Sequence, residues 1–436
     1  MSIPTLQGLQ TALSGLLAGQ EAIDVAAQNI TNASTPGYSR ERAVMQADGS
    51  LVIDSSATAG RPAQLGTGVS VSTITRVRNS YLDAQYRAQN AALGAAQARS
   101  GELQQVQSAF DEPSDTGLSA QLSAFWSAWS ELSGAPSSEA AREAVVSAGG
   151  QLAGSLNELS AQISTIAEQA QEQYAALTGP NGEVQDDATQ IALLNQQIAA
   201  AEESGREPNE LLDSRDELLD QLSGLAQIAV TENADGTDTV GFGDASQPLV
   251  QGASVDWPQT LTAAAGGQLG ALLGLSAPTG TLAGYQAALD EVASELSSSV
   301  NALQPTTPFF TGTSAASIAV GATPAQIQTA AGGEAGGNEL ALSIAALRGG
   351  GADQSYGALI ERIGSDAQSA EDDETTAQAV TGALEDERQS VSGVSLDEEM
   401  SNLVSLQHGY EASARALTTM DEMLETLIEH TGTTGL

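Results

Sequence analysis

The chain has 436 residues, of which 55 are Asp or Glu and 14 are Lys or Arg, so that its formal net charge at pH 7 is −41. All fourteen basic residues are arginines, and the sequence contains neither lysine nor cysteine. This composition excludes lysine-dependent phosphoryl transfer, Schiff-base catalysis, cysteine nucleophiles and disulfides, and so acidic a surface argues against nucleic acid as a partner.

The first predicted element is a helix with an apolar stripe along one face. It ends in a turn-forming segment, Asn32 to Gly37, in which Pro36 disfavours a helical conformation at the residue before it. Gly37 is expected to adopt a positive φ, as in the second central position of a type II turn. The stripe, which has the spacing of a coiled-coil seam, consists of Leu6, Leu9, Leu13, Leu16, Ile23 and Ile30.

The middle of the chain is predicted to be mostly helical with one small β region. Helical periodicity covers residues 81–110, 139–177, 188–203, 209–225, 285–303 and 353–391. Two short strands, at 228–231 and 239–242, are separated by an Asp235-Gly236 hairpin signal. Gly-rich and Ser/Thr-rich stretches at 262–284 and 305–337 are expected to flank the helix at 285–303.

The last predicted element is a second long helix with a seven-residue apolar period. Ser395, followed three residues later by Glu398, is typical of a capping box at its start. Neither terminal helix has enough apolar breadth to be stable alone in water, so each is expected to pair with the other or with neighbouring copies. The apolar positions of this second seam are Leu396, Met400, Leu403, Tyr410, Leu417, Leu424 and Ile428.

These elements predict a mainly α fold with a small β region (α+β). We expect a terminal assembly domain of coiled-coil-like helices from residues 1–45 and 393–436. A helix-rich middle domain is expected from 46–226 with 266–392, and a small β-rich region from 227–265. The segment before Arg40 has no basic residue and no long apolar run, so we expect neither a cleaved signal peptide nor membrane insertion.

Residues that carry chemistry are scarce. His408 and His430 are too far apart along one helix to share a metal ion. The segment 231–242 imitates a calcium loop, but Thr231 and Phe242 stand where acidic ligands are needed. Trp126 and Trp129 have the spacing of core residues in a helix. The sequence therefore predicts no catalytic residue, cofactor or metal ion, and no enzyme activity.

Both ends of the chain contain motifs of a known family. Residues 13–40 resemble the N-terminal motif of the flagellar rod, hook and hook-associated axial proteins, and residues 392–424 resemble their C-terminal motif. Interior segments at 110–113, 212–219 and 266–273 are similar to the hook-associated branch. The motif residues are Asn29, Pro36, Gly37, Tyr38, Ser39 and Arg40 at the first end, and Gly393, Ser395, Leu396 and Asp397 at the second.

The resemblance implies a structural subunit of the bacterial flagellum at the junction of hook and filament. Such a subunit would leave the cell through flagellar type III export and assemble helically with copies of itself. The implied neighbours are hook protein and hook-associated protein 3, and a cytoplasmic export chaperone is implied before secretion.

Two alternatives remain open from the sequence. The nearer is another axial protein, of the hook or rod, from which the residues Tyr38-Ser39-Arg40 and the segment 393–400 differ. The more remote is a secreted glycan hydrolase that uses a pair of carboxylates.

Overall fold

The computed structural model describes residues 3–53, 63–332 and 336–431, without the side chains of residues 3–6, 51–53, 63–65, 427, 430 and 431. The described α-helices are α1 (Ile3–Asn32), α2 (Ser80–Phe110), α3 (Leu118–Gly134), α4 (Glu139–Thr178), α5 (Glu183–Glu203), α6 (Asn209–Leu225), α7 (Gly267–Ser276), α8 (Thr281–Ala302), α9 (Glu339–Ala345), α10 (Gly351–Ser392) and α11 (Leu396–Thr431). The described strands are β1 (Glu41–Ala47), β2 (Ser50–Ile53), β3 (Ala63–Gly66), β4 (Val69–Arg76), β5 (Ile228–Glu232), β6 (Asp238–Phe242), β7 (Val250–Gln251), β8 (Ser254–Val255), β9 (Phe310–Thr311) and β10 (Ala319–Val320).

The mainly helical fold with small sheets is confirmed. One local expectation is wrong. No strand was predicted within residues 41–53 and 63–76, but these described residues contain β1 to β4, so the start of the predicted helix-rich domain is not helical there. The Gly-rich stretch at 262–284 contains the helix α7, because Leu269, Leu272 and Leu275 are buried against neighbouring helices and tertiary packing outweighs the low helix propensity of glycine.

The largest core lies among α2, α3, α4, α8 and α10. Its centre is aromatic, with Phe125, Trp129 and Phe309 in mutual contact at ring-centroid distances of 5.5–6.3 Å. The indole N–H of Trp126 donates to the Asp353 carboxylate at 2.9 Å, so this ring is buried with its donor satisfied. Trp126 and Trp129 are thus core residues, as their spacing predicted.

A second core joins α5 and α6 to a four-stranded antiparallel sheet, in the order β5-β6-β7-β8. The hairpin between β5 and β6 turns at the predicted Asp235-Gly236 pair, where Gly236 has φ +74°. Arg215 on α6 pairs with Asp238 at the start of β6, with Nε and Oδ2 2.9 Å apart. This buried ion pair ties the helices to the sheet.

The two terminal helices, α1 and α11, lie antiparallel and pack through small residues. A Cβ atom added at Gly8 would lie 3.0 Å from the sulfur of Met420, and one added at Gly15 would lie 3.2 Å from Oγ of Ser413. On another side of α1, the hairpin of β1 and β4 lies against it, and the Val69 N–H donates to Oγ of Ser14 at 3.2 Å. Helix α1 is therefore covered on two sides.

Candidate functional site: the junction of the terminal and middle helices

The exit from α1 is a tight turn that only glycine fits well. The N–H of Tyr38 donates to the carbonyl of Thr35 at 3.3 Å, and Gly37 between them has φ +76°. A side chain at Gly37 would be strained by this conformation. It would also approach Glu217 of α6, whose Oε2 lies 3.3 Å from the Cβ position. The positive φ expected from the sequence is confirmed.

Asn29 fixes the end of α1 to the start of β1. Its amide nitrogen donates to the carbonyl of Glu41, and its amide oxygen accepts from the N–H of Glu41 and from the hydroxyl of Tyr38, each at 2.9 Å. The side chain is buried, so losing these bonds would leave polar groups unsatisfied at a cost of about 1–3 kcal/mol. Burial, with the nearby carboxylate of Glu41, raises the pKa of Tyr38, which remains a neutral donor.

Ser39 anchors the segment that follows the turn to α6 through hydrogen bonds. Its N–H donates to Oδ2 of Asp213 at 2.9 Å, and its hydroxyl donates to Oδ1 at 2.7 Å. Both residues are buried. The same carboxylate accepts from Arg76 at 2.7 Å, which makes Asp213 the point where the turn meets a larger ionic cluster.

We name this arrangement the arginine cluster. Its close contacts, between 2.7 and 3.0 Å, join Arg76 to Asp213 and Asp216, Arg78 to Asp83 and Asp216, Arg87 to Asp216 and Asp220, and Arg388 to Asp83 and Asp220. Four arginines thus face four aspartates contributed by β4, α2, α6 and α10 and the segment between β4 and α2. In a chain of net charge −41, this uses four of only fourteen cations.

The cluster fixes the protonation state of its central carboxylate. Burial alone would raise the pKa of Asp216, but Arg78, Arg87 and Arg76 outweigh it and lower that pKa to about 2. The carboxylate is therefore ionised at neutral pH. Several guanidinium groups sharing one acid give each charge more than one partner, which is the condition under which buried ions stabilise a structure.

Arg40 links the two ends of the chain directly. Its N–H donates to the carbonyl of Ser392 at 2.8 Å, and its Nε lies 2.7 Å from Oε1 of the buried Glu399 carboxylate. A second guanidinium nitrogen lies 3.2 Å from Glu398. The N–H of Glu398 approaches Oγ of Ser395 at 3.5 Å, the geometry of one half of the predicted capping box. The N-terminal and C-terminal family motifs thus meet at this ion pair.

The predicted seam residues are divided between the outside of the terminal helix pair and positions that the subunit itself partly covers. Leu13 is 42% exposed, Met400 is 59% exposed and Ile428 is 71% exposed. Leu396 is also exposed, whereas Leu9, Leu16, Ile23, Ile30, Leu403, Tyr410, Leu417 and Leu424 are partly buried. The side chain of Leu6 lies outside the described residues.

The buried face of α1 is a different stripe. It contains Ala12, Ala18, Ala22, Val25 and Ala26, and it packs within the subunit. This stripe was not predicted because alanine and glycine carry little hydrophobic signal, although the spacing of small residues could have indicated it. Some of the larger apolar side chains, such as Leu13, are left exposed by the subunit's own contacts, and others, such as Met420 against Gly8, are partly covered.

The sequence did not predict the arginine cluster as a site either. The segment 212–219 was noted for its resemblance, but the partners of Asp213 and Asp216 are more than 120 residues away. One signal was available, since so few cations in so acidic a chain are expected to be placed where they neutralise buried acids.

Within the described residues, no cluster of three or more His, Asp or Glu side chains is placed to hold a metal ion. None of the described helices has the length and hydropathy that a bilayer span requires. The hydrogen bonds and ion pairs at the junction fix the terminal helices to the middle helices.

Comparisons with protein families match the two ends and the middle of the chain separately. The family described as the helical domain of flagellar hook-associated protein FlgK matches residues 103–260. The family described as flagella basal body rod protein matches residues 9–38, and the C-terminal family of the basal body rod FlgEFG proteins matches residues 386–429. The last two matches contain the turn and the two segments that Arg40 joins.

Individual relatives agree with these matches. The chain is 29% identical to flagellar hook-associated protein 1 of Bacillus subtilis, over 99% of both chains. It is 27% identical to the protein of that name from Escherichia coli, over 56% of this chain and 43% of the other. A solved structure of the flagellar hook junction protein FlgK from Burkholderia pseudomallei has 25% identity and a TM-score of 0.45, over 51% of this chain and 43% of that one.

Proposed function

The chain belongs to the family of flagellar hook-associated protein 1, and from this premise we propose that it self-assembles through its terminal helices into the junction between hook and filament. The observation that carries the proposal is the position of the apolar stripe. The terminal helices pack on each other through small residues, while Leu13, Leu396 and Met400 remain exposed.

Large apolar side chains that are exposed on the terminal helices favour contact with another copy, because that contact removes them from water. Covering a leucine or methionine side chain contributes about 1.5–3 kcal/mol, and one contact of this kind recurs at every subunit of an assembly. A contact between two different surfaces of the same chain does not close after two copies, and it generates a helical assembly when its rotation does not close into a ring. The seam residues named from the sequence are proposed to form this contact.

The junction gives this assembly a defined geometry. We propose that Asn29, Tyr38, Ser39 and Arg40 hold the terminal helices against the arginine cluster, so that each subunit presents its body at one angle to the tube. The proposed division of the chain is a terminal domain from 1–45 and 393–436, a middle domain from 46–226 and 266–392, and a small β region at 227–265. The hairpin contact with α1 supports extending the terminal domain through β4.

Finer aspects of the role rest on the family. We propose hook protein and hook-associated protein 3 as the axial neighbours of the assembled chain. We further propose export through the flagellar type III pathway, with a cytoplasmic chaperone covering the C-terminal seam beforehand. Terminal helices whose apolar faces are only partly buried in the subunit are suited to both steps, since they are only marginally stable alone.

Electron microscopy of hooks tests the junction role. Cells lacking this chain should have bare hooks and release filament subunits into the medium, and expression of the wild-type chain should restore attached filaments. A chain with Leu13→Asp and Met400→Asp should be made at normal levels and fail to restore them. Intact filaments in the deletion strain would contradict the proposal.

A further inference from the structure

A groove runs along the outer surface between α5 and α6, separate from the terminal seam. It encloses about 510 Å³ and is lined by Asp187, Leu193, Leu194, Glu217 and Leu218, with polar side chains between them. Leu193 is 53% exposed. An apolar surface flanked by two acids, with no basic residue in its lining, is suited to a partner that is apolar and positively charged.

Asp187 is a buried acid of the groove that lacks a full set of hydrogen-bond partners within the described part of the isolated subunit. Its side chain is only 5% exposed, and Oδ2 has no hydrogen-bond partner among the described residues. Burial, together with the nearby acids Glu183 and Asp186 on its own helix, raises the pKa of Asp187 to about 7. On the facing helix the charged group that lines the groove is Glu217, which is also an acid. An incoming cation would relieve this burial of negative charge.

The same chain carries a complementary surface on β1. Arg42, Val44 and Met45 are all exposed, and the register of β1 against β4 shifts between Val44 and Met45. This irregularity interrupts the alternation of the strand, so that both apolar side chains are exposed beside the arginine. One copy therefore offers an apolar surface with a cation, and another offers an apolar groove with two acids.

Both surfaces adjoin the junction. Arg42 follows Arg40 of the junction by two residues, and Glu217 lies against the Gly37 turn. We propose that Arg42, Val44 and Met45 of one copy dock in the α5/α6 groove of the adjacent copy. This inference rests on the proposed function, because it adds a lateral contact outside the seam to the assembly described above.

Cross-linking tests the contact directly, because the natural chain has no cysteine. Cells making the chain with Val44→Cys and Leu193→Cys are treated with a short bismaleimide after filaments have formed. A contact between two different surfaces should give a ladder of dimers, trimers and larger products. Each single variant should give none. The matched control pairs Val44→Cys with Leu342→Cys, an exposed leucine on α9, and should also give none.

Charge reversal provides a second measurement should the cysteine variant assemble poorly. Arg42→Glu and Glu217→Arg should each raise the protein concentration needed for assembly about tenfold, and the double variant should restore it. Thermal melting of each variant checks that the subunit still folds.

The outcomes separate this inference from the proposed function. Filaments that stay attached while the double cysteine variant gives no ladder, or charge variants without mutual rescue, would overturn the docking contact and leave the junction role intact. A dimer from one single variant, or a product with another flagellar protein, would also overturn it. Attached filaments in cells lacking the chain would instead overturn the junction role.

Discussion

The middle helices and the terminal helix pair of this chain are stabilised by different kinds of contact. The middle helices bury large side chains, including three aromatic residues that pack within 6.3 Å of one another. The terminal pair fully buries mainly alanine, and it leaves its larger apolar side chains either partly buried or, as at Leu13 and Met400, exposed. The first region thus has its apolar core within one subunit, whereas the exposed apolar side chains of the second are the ones that we propose other copies cover.

The largest effect on stability is expected in the middle core. Trp129→Ala removes a fully buried ring that contacts Phe125 and Phe309, and it should lower the free energy of unfolding by about 3–5 kcal/mol. Chemical denaturation measures the change. The control, Leu342→Ala at an exposed position, should leave stability nearly unchanged, and equal effects would show that the core assignment is wrong.

The junction should show the next largest effect. Asp216→Asn breaks contacts with three arginines and should cost about 3 kcal/mol at pH 7. Because the pKa of Asp216 is lowered to about 2, the stabilisation is present above about pH 4 and is lost as the pH falls through 2. Denaturation curves between pH 7 and pH 2 should therefore converge for the wild type and the variant. Curves that remain parallel would contradict this role.

A smaller loss is expected at the turn. Gly37→Val forces a β-branched residue into a positive φ beside Glu217 and should cost about 1–3 kcal/mol. Gly49→Val is the matched control, because nothing lies within 4 Å of the Cβ position there and its φ is not positive. Thermal melting and a motility assay compare the two variants. Wild-type stability and motility of Gly37→Val would show that neither depends on the conformation of this turn.

The α5/α6 groove should respond in the opposite direction. The pKa of Asp187 is raised to about 7, so its ionised form destabilises the folded subunit, and stability should increase as the pH falls from 8 towards 5. Asp187→Asn removes this penalty and should raise the melting temperature by about 2 °C at pH 8, with little change at pH 5. Glu203→Gln, at an exposed position at the other end of the same helix, serves as the control. A uniform shift at both pH values would contradict the pKa assignment.

The terminal seam should show the smallest effect on the subunit itself. Leu13→Asp with Met400→Asp places two charges at positions that are already exposed, so the melting temperature of the purified subunit should hardly change. Leu403→Asp with Leu417→Asp, at partly buried positions, should cost more stability. Both pairs should abolish filament attachment. A large fall in melting temperature for the first pair would assign these residues to the subunit's own core.

Periodicity in the sequence predicted most of the helices, because long helices with apolar stripes carry a strong local signal. It did not predict β1 to β4. Strand β4 alternates valine and isoleucine with serine and threonine, but eight residues of this pattern do not by themselves specify a strand. Their pairing with β1 and their contact with α1 stabilise it. Strands depend on distant partners in a way that helices do not.

The site was predictable only in part, because its local residues carry a sequence signal whereas their distant partners do not. The motif from Asn29 to Arg40 was identified from its resemblance, and Gly37 from the physics of a turn. Its partners Asp213 and Glu399 lie far away in sequence, and no local pattern relates them to Ser39 and Arg40. The seam was predicted from its period, but the period alone could not show which stripe of α1 faces α11.

The glycine contacts between α1 and α11 also act as a ruler. With Gly8 against Met420 and Gly15 against Ser413, sliding one helix past the other by a single residue would bring side chains into space that only glycine leaves open. The axial offset between the exposed Leu13 and the exposed Met400 is thereby set at about 22 Å, from fifteen residues of α-helical rise. In the proposed assembly, each copy that joins would therefore meet the same spacing as the copy before it, and the step along the tube would be fixed within a single subunit.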